Sequence, residues 1–151
     1  MPTCFFIGHR DAPEWLLQPL CDAIERCIEK RNITNFVVGQ YGRFDGLAAR
    51  AVHGAKERHP DIRLTLLLAY YAPTVSVDLP MGFDDSLYPD GLEFVPKRAA
   101  IIRANRYMIS HSDYLISYDK GQVGNTRELV NYARKREKQG LIHVENLAQI
   151  D

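Results

Sequence analysis

Short apolar runs alternate along the chain with longer segments in which apolar residues recur every three or four positions. The apolar runs predict strands at residues 4–7, 36–38, 63–70, 114–118 and 141–144, and the helical period predicts helices at about 13–31, 45–58, 96–111 and 125–138. Strands that alternate with helices are typical of a parallel sheet with crossover helices. The pattern therefore predicts an α/β fold, a Rossmann-like three-layer sandwich with about five mainly parallel strands and helices on both faces.

One segment interrupts the alternation. Residues 71–95 have no period and contain three prolines and two glycines. A loop of this length inside a compact domain is usually either functional or mobile. We expect one domain over residues 1–151, in which residues 71–95 form a long loop or a lid.

The overall charge is balanced, with nineteen basic and nineteen acidic side chains. A neutral chain has no long-range field for a polyanion or an anionic membrane, which argues against both as partners. The longest apolar stretch, residues 64–71, is far shorter than the ~20 residues of a bilayer-spanning helix. Because the first residues lack the features of a signal peptide, we expect a cytoplasmic protein.

The cysteines and most histidines are scattered without metal-ligand spacing. Cys4, Cys21 and Cys27 are interpreted as small buried or half-buried hydrophobic residues. Neither a metal nor another cofactor is expected.

Three glycine-containing turns follow predicted strands, at residues 8–10, 39–46 and 121–125. In open parallel sheets, ligands bind beyond the carboxyl ends of the strands, where such turns let the backbone approach and helix N-termini face the ligand. The turns together predict a site for a phosphate-bearing ligand. The candidate ligand-binding residues in them are Gly8, His9, Arg10, Gly39, Gly42, Asp45, Gly121, Gly124 and Asn125.

Arginines are the candidate phosphate contacts. Arg10, Arg103 and Arg106 carry guanidinium groups that match phosphate oxygens and stay charged. The alternative for Arg103 and Arg106 is a solvated helix face. His9 either donates to a phosphate or caps the turn that follows it.

Other candidates also have a structural alternative. Asp45 is either the N-cap of its helix or a carboxylate that faces a ribose hydroxyl or a base. Asn125 and Glu128 either form a capping box or place Glu128 on a helical turn at the cleft. The aromatic residues that either stack on a base or pack at the edge of the core are Tyr41, Tyr70 and Tyr71.

The order and spacing of these motifs resemble the SLOG superfamily over nearly the whole chain. The matching stretches are FFIGHR at 5–10, VVGQYGRFDGLA at 37–48, NRYM at 105–108 with SDYLI at 112–116, and GNTRE at 124–128. This Rossmann-like group includes the lysine-decarboxylase-like (LOG) phosphoribohydrolases, DNA-processing protein A and the YpsA-like proteins of bacteria and phages, and the similarity is greatest to the YpsA-like branch. The resemblance implies a nucleotide or nucleotide-derived ligand with its phosphate at the turn before the fourth helix. It also implies a homo-oligomer, in particular a dimer.

The resemblance also implies roles for individual residues. In the LOG enzymes a glutamate after the glycine-rich turn and an upstream arginine serve cleavage of an N-glycosidic bond. Glu128 matches the glutamate, whereas the arginine position is Ala104, flanked by Arg103 and Arg106. The Asn-Arg pair at 105–106 is more similar to the DNA-processing protein group, whose motif binds without hydrolysis. The candidate catalytic residues are therefore Glu128, Arg103 and Arg106, and the additional candidate ligand-binding residues are Asn105 and Thr126.

Three functional hypotheses follow. The leading one is a sensor or processing protein that binds a nucleotide or nucleotide-derived small ligand at the carboxyl edge of the sheet. The alternative is a phosphoribohydrolase, an N-glycosidase that releases a base from a nucleoside 5′-monophosphate with Glu128 and a nearby arginine. The second alternative is single-stranded DNA binding, against which the neutral charge balance argues.

Overall fold

The computed structural model describes residues 1–40, 42–69 and 82–148. Within these residues the strands are β1 (Thr3–Gly8), β2 (Asn35–Val38), β3 (Arg63–Leu67), β4 (Asp85–Leu87), β5 (Tyr114–Tyr118) and β6 (His143–Asn146). The helices are α1 (Leu17–Arg31), α2 (Arg43–Ala55), α3 (Lys97–Ser110) and α4 (Asn125–Lys138), and a short 3-10 helix, Glu14–Leu16, precedes α1.

The strands form one parallel sheet in the order β4-β3-β2-β1-β5-β6. Phe5 of β1 stands opposite Val37 of β2 on one side and Leu115 of β5 on the other. The chain order therefore reverses beside β1. In parallel sheets of this kind a crevice for ligands opens at the carboxyl ends of the strands, where the order reverses.

The core consists of two layers, one on each face of the sheet. Alternate β1 residues point to opposite faces, so that Phe6 packs with α1 and α2 while Phe5 packs with α3 and α4. Both phenylalanines are at most 1% exposed, and burial of each stabilises the fold by about 1.5–3 kcal/mol. Strands that are covered on both faces have continuous apolar sequences, as predicted. The α/β three-layer fold is confirmed.

The sheet has six strands rather than about five, because β4 lies inside the predicted loop 71–95. β4 is only three residues long and has the sequence DSL, so it carries no apolar alternation that a sequence pattern could detect. It pairs in parallel with β3 at the sheet edge. Asp84 stabilises the position of β4 beside β3, because its carboxylate accepts hydrogen bonds from the Leu64 N–H (2.8 Å) and from Lys56 Nζ (2.6 Å). Residues 70–81 of the predicted loop lie outside the described residues.

Element ends also differ from the prediction. The last strand begins at His143 rather than at residue 141, because the Leu141 N–H still donates to the Arg136 carbonyl at the end of α4. The third strand ends at Leu67 instead of residue 70. None of the helices in the described ranges is both long enough and apolar enough to cross a membrane.

Candidate functional site

A cavity of about 610 Å³ lies at the carboxyl end of β1, between the N-terminal parts of α2, α3 and α4. Its volume is within the range of about 300–1,000 Å³ that is usual for small-molecule sites. The described residues that line it are Phe6, Ile7 and Gly8 of β1, Arg10 of the next turn, Gly42 and Asp45 at the start of α2, Arg98, Ile101, Ile102 and Asn105 of α3, and Asn125, Thr126 and Leu129 of α4.

One face of α3 supplies four of these residues, at spacings of three and four that bring side chains onto the same side of a helix. Arg103 and Arg106 do not line the cavity, because neighbouring positions are about 100° apart around a helix. Arg106 instead lies over the ring of Tyr132 on α4, with its guanidinium carbon 4.8 Å from the ring centre. Arg98 does line the cavity, and sequence reasoning missed it. Its position seven residues before Asn105 is the signal that would have found it.

The first turn of α2 lies directly against the turn after β1. A Cβ atom on Gly8 would be 2.2 Å from Cγ of Phe44, and one on Gly42 would be 2.9 Å from Cα of Arg10. The Arg43 N–H donates to the Arg10 carbonyl (3.0 Å). The two glycines therefore allow the close approach that brings Arg10 and Asp45 to the same cavity.

Hydrogen bonds also fix the turn between β5 and α4. The buried Asp119 carboxylate accepts from the Gly121 N–H (2.9 Å), and Gly121 has the positive φ of +83° that favours glycine. The Asn146 amide accepts from the Asp119 N–H and donates to the Asp119 carbonyl, both at 2.9 Å. Nε2 of His9 accepts from the Lys120 N–H (3.0 Å), so His9 joins the turns that follow β1 and β5. Sequence reasoning missed Asp119 and Asn146, since no periodicity marks a side chain that holds a turn.

Three helices direct their N-termini toward the cavity. The N-cap residues are Gly42 for α2, Pro96 for α3 and Gly124 for α4, and none makes a side-chain capping hydrogen bond. The N-cap positions are thus occupied by Gly42 and Gly124 rather than by the predicted Asp45 and Asn125, and Glu128 follows its N-cap by four residues instead of the three of a capping box. The partial positive charge of helix N-termini favours an anion in the cavity.

Seven of the predicted ligand-binding residues line the cavity, namely Gly8, Arg10, Gly42, Asp45, Asn105, Asn125 and Thr126. His9, Gly39, Gly121 and Gly124 lie in the surrounding turns and at the strand ends instead. Glu128 is exposed on α4 and, like Arg103 and Arg106, does not line the cavity. Among the described residues, the carboxylate that lines it belongs to Asp45. Tyr41, Tyr70 and Tyr71 lie outside the described residues.

The helices α3 and α4 form a strongly basic layer on one face of the sheet. Their residue ranges contain nine basic and two acidic side chains, which leaves a charge of +7. By contrast, α1 and α2 together contain five basic and four acidic side chains. The exposed members of this α3–α4 basic layer are Lys97, Arg98, Arg103, Arg106, Arg127, Arg134, Lys135 and Lys138.

The acidic side chains that balance this charge lie mostly outside these four helices. The remainder of the sequence contains thirteen acidic and five basic side chains, a net charge of −8. The neutral total therefore conceals a basic face that begins at the cavity, where Arg98 belongs to both.

The fold is shared with a DNA-binding protein. DNA processing protein A from Helicobacter pylori superposes with a TM-score of 0.61 at 18% sequence identity, and the match covers 98% of this chain and 66% of that chain. The Helicobacter pylori protein binds single-stranded DNA. This chain thus spans slightly less than two thirds of the length of its structural neighbour.

A prophage protein is similar in sequence. The uncharacterized SPbeta prophage-derived protein YoqJ of Bacillus subtilis is 28% identical over 140 aligned positions, which cover 80% of this chain and 81% of the relative. No protein-family model matches the chain.

The comparison corrects one expectation drawn from composition. The neutral net charge was expected to argue against nucleic acid as a partner, and the single-stranded DNA binding described for the structural neighbour contradicts that expectation. The physical reason is that net charge is a sum over the whole chain, whereas a nucleic acid responds to the local field of one face.

A group of possible metal ligands lies away from the cavity. Oxygen or nitrogen atoms of Glu25, Glu29 and His59 lie within 4.8 Å of one another. Glu25 is already engaged, because it accepts hydrogen bonds from Arg58 (2.6 Å) and lies 2.8 Å from Nε2 of His59. Burial opposes ionisation of Glu25, but the bonds to Arg58 and His59 outweigh it and lower its pKa. The cluster is explained as an ion-pair network that joins α1 to the segment after α2.

Proposed function

We propose that this chain binds single-stranded DNA, with a backbone phosphate in the cavity beside Arg10 and Arg98. The observation that carries the proposal is the continuity of the cavity with the α3–α4 basic layer. A cavity with two arginines and three helix N-termini suits one phosphate. A layer of charge +7 that extends from it along two helices suits the further phosphates of a strand. The fold shared with DNA processing protein A agrees with this assignment.

The side chains that line the cavity favour ligand binding over cleavage of an N-glycosidic bond. An N-glycosidase of the LOG type requires a carboxylate at the sugar, and Glu128 is exposed outside the cavity lining. Asp45 is a carboxylate at the cavity, and its negative charge would repel a phosphate placed directly beside it. We therefore assign Asp45 to a sugar hydroxyl or a base edge and the arginines to the phosphate.

A free nucleotide-derived ligand is the second candidate. The volume of the cavity and its mixed lining favour it, since Ile101, Ile102 and Leu129 offer an apolar surface to a base next to the polar groups. Such a ligand is also what the resemblance to the YpsA-like branch of the SLOG superfamily implies.

Anisotropy titrations with a labelled thymidine oligomer of about 15 nucleotides test the proposal, since sites for single strands span about 4–16 nucleotides per domain. We expect Arg98→Ala and Arg10→Ala each to weaken binding by roughly 10- to 150-fold, which corresponds to loss of about 1.5–3 kcal/mol per charge-assisted contact. Arg50→Ala is the matched control, because Arg50 is an exposed arginine of α2 that pairs with Glu14 (2.7 Å) outside the cavity. It should change the affinity by less than about twofold.

Salt dependence provides the second arm of the experiment. If about four phosphates are neutralised, affinity should fall by roughly 50-fold between about 50 and 200 mM salt, given a slope of about 0.7 per phosphate. Absence of binding at the lower salt concentration would contradict the proposal, as would equal losses in Arg50→Ala and Arg98→Ala. Binding of a nucleoside monophosphate that depends on Arg98, without binding of the oligomer, would select the second candidate.

A further inference from the structure

Three strongly exposed apolar side chains lie at the same edge of the sheet as the cavity. Trp15, Phe94 and Val123 are 60%, 97% and 91% exposed. Each lies in a segment that leads from a strand to the next helix, and such segments follow the carboxyl ends of the strands. Large apolar groups that remain exposed near a site are often part of a binding surface.

The ring of Trp15 is held in place by a buried neighbour. Trp15 belongs to the short helix Glu14–Leu16, and its indole contacts the ring of Tyr118 edge-on, with centroids 6.2 Å apart and an interplanar angle of 87°. Tyr118 is the last residue of β5, is 5% exposed and stacks on Phe44 of α2 at 6.3 Å. The indole is therefore fixed by the core while more than half of its surface faces solvent.

Lys120 and His9 contact the same tyrosine as the indole. Lys120 places its ammonium 5.9 Å from the centre of the Tyr118 ring. The ring of His9 packs edge-on against the same tyrosine at 5.6 Å. His9 stands between Gly8 and Arg10, which both line the cavity. The contacts of Tyr118 thus join the Trp15 side chain to the turn that forms one wall of the cavity.

We infer that Trp15 is a stacking platform for an unpaired base of the strand whose phosphate occupies the cavity, with Lys120 beside a neighbouring phosphate. The inference rests on the proposed function and extends it from the phosphate to the base. An ordered, exposed indole suits this task, because every base has a face that stacks on an aromatic ring, and a fixed ring loses little freedom on binding. A platform of this kind recognises single strands, since the bases of a duplex are already stacked on one another.

Trp15 is the sole tryptophan of the chain, so its fluorescence reports on this position directly. Two labelled oligomers of equal length are compared on the intact protein, a thymidine oligomer and its abasic analogue, which keeps the phosphates and lacks the bases. We expect the thymidine oligomer to quench Trp15 and the abasic one to bind without quenching. The abasic oligomer should bind roughly 5- to 150-fold more weakly, as expected for the loss of one stacked base.

Variants separate stacking from a structural effect. Trp15→Ala should weaken binding of the thymidine oligomer by the same factor and leave binding of the abasic oligomer within about twofold, while Trp15→Phe should restore part of the loss. Leu141→Ala is the matched control, because Leu141 is 50% exposed between α4 and β6, away from the cavity.

The possible failures are distinguishable. If both oligomers bind and neither changes the emission of Trp15, the stacking inference is overturned and the proposed function stands. Equal losses for both oligomers in Trp15→Ala would likewise overturn it. If neither oligomer gives an anisotropy change at low salt, the proposed function fails and the stacking inference fails with it.

Discussion

Beside the candidate site, Gly8 is the residue at which an added methyl group should destabilise the fold most. In Gly8→Ala the new Cβ would lie 2.2 Å from Cγ of Phe44, against the 3.4 Å at which ordinary contacts begin. The ring of Phe44 would have to retreat by about 1.2 Å. It is 1% exposed and stacked on Tyr118, so that it has no free space to enter. We expect a loss near the upper end of the range of about 1–3 kcal/mol for overpacking.

Gly46→Ala provides a matched control in α2, the helix that contains Phe44. A Cβ at Gly46 meets nothing within 4 Å, and the residue lies inside α2. Alanine is favoured over glycine in a helix by about 0.5–1 kcal/mol, so this variant should be more stable than the parent. At about 2–4 °C per kcal/mol for a chain of this size, Tm should fall by roughly 6–12 °C in Gly8→Ala and rise by roughly 1–4 °C in Gly46→Ala.

Thermal unfolding followed by circular dichroism measures both variants under one condition. Shifts of opposite sign support the close packing of β1 against α2 that positions Arg10 and Asp45. If Tm of Gly8→Ala stays within about 1 °C of the parent, the ring of Phe44 does not lie over Gly8 and the described geometry of this wall is wrong.

Two further predictions concern other contacts of the fold. Burial tends to raise the pKa of Asp84, but the hydrogen bonds from Lys56 and the Leu64 N–H outweigh it and lower the pKa. A lowered pKa adds stability above the unfolded value and loses it as pH falls through the folded value. Asp84→Asn should thus cost about 1–2 kcal/mol near pH 7 in urea unfolding, and this cost should shrink as the pH falls below about 4; a cost that does not change with pH would refute the charge-based account. Asn146→Ala removes two hydrogen bonds to the Asp119 backbone, so it should cost about 1–3 kcal/mol and speed amide exchange in the turn after β5, and unchanged exchange there would contradict the proposed support.

The sheet could be predicted largely from the sequence, because buried parallel strands and amphipathic helices leave distinct periodic patterns. Phe36 to Val38 and Tyr114 to Tyr118 are examples in which the apolar run coincides closely with the strand. β4 could not be predicted, because three residues without alternation carry no period. Its place at the edge depends on Asp84, whose partners are distant in sequence.

The residues that line the cavity from the turns could be predicted from the sequence, whereas the charged side chains that reach it from α3 could not. Glycines and polar residues in turns are tied to strand ends, so Gly8, Arg10 and Asn125 were found from local sequence. Which arginine of α3 faces the cavity depends on the rotation of that helix, which its packing on the sheet decides. The same limit applies to the charge: the total is zero, and the separation into a basic layer and a nearly neutral one appears only once the helices are assigned to faces.

We propose that a nucleic acid strand lies at the carboxyl edge of the sheet and along α3 and α4. A competing position exists, because a second hollow of about 310 Å³ at the opposite edge is lined by Arg26, Lys30, Arg31 and His143. Photo-crosslinking of a thymidine oligomer that carries 5-iodouracil, followed by mass spectrometry, locates the strand directly. We expect crosslinked peptides from residues 8–16, 97–106 and 119–127. Crosslinks confined to residues 26–31 and 143–145 would contradict this placement of the strand.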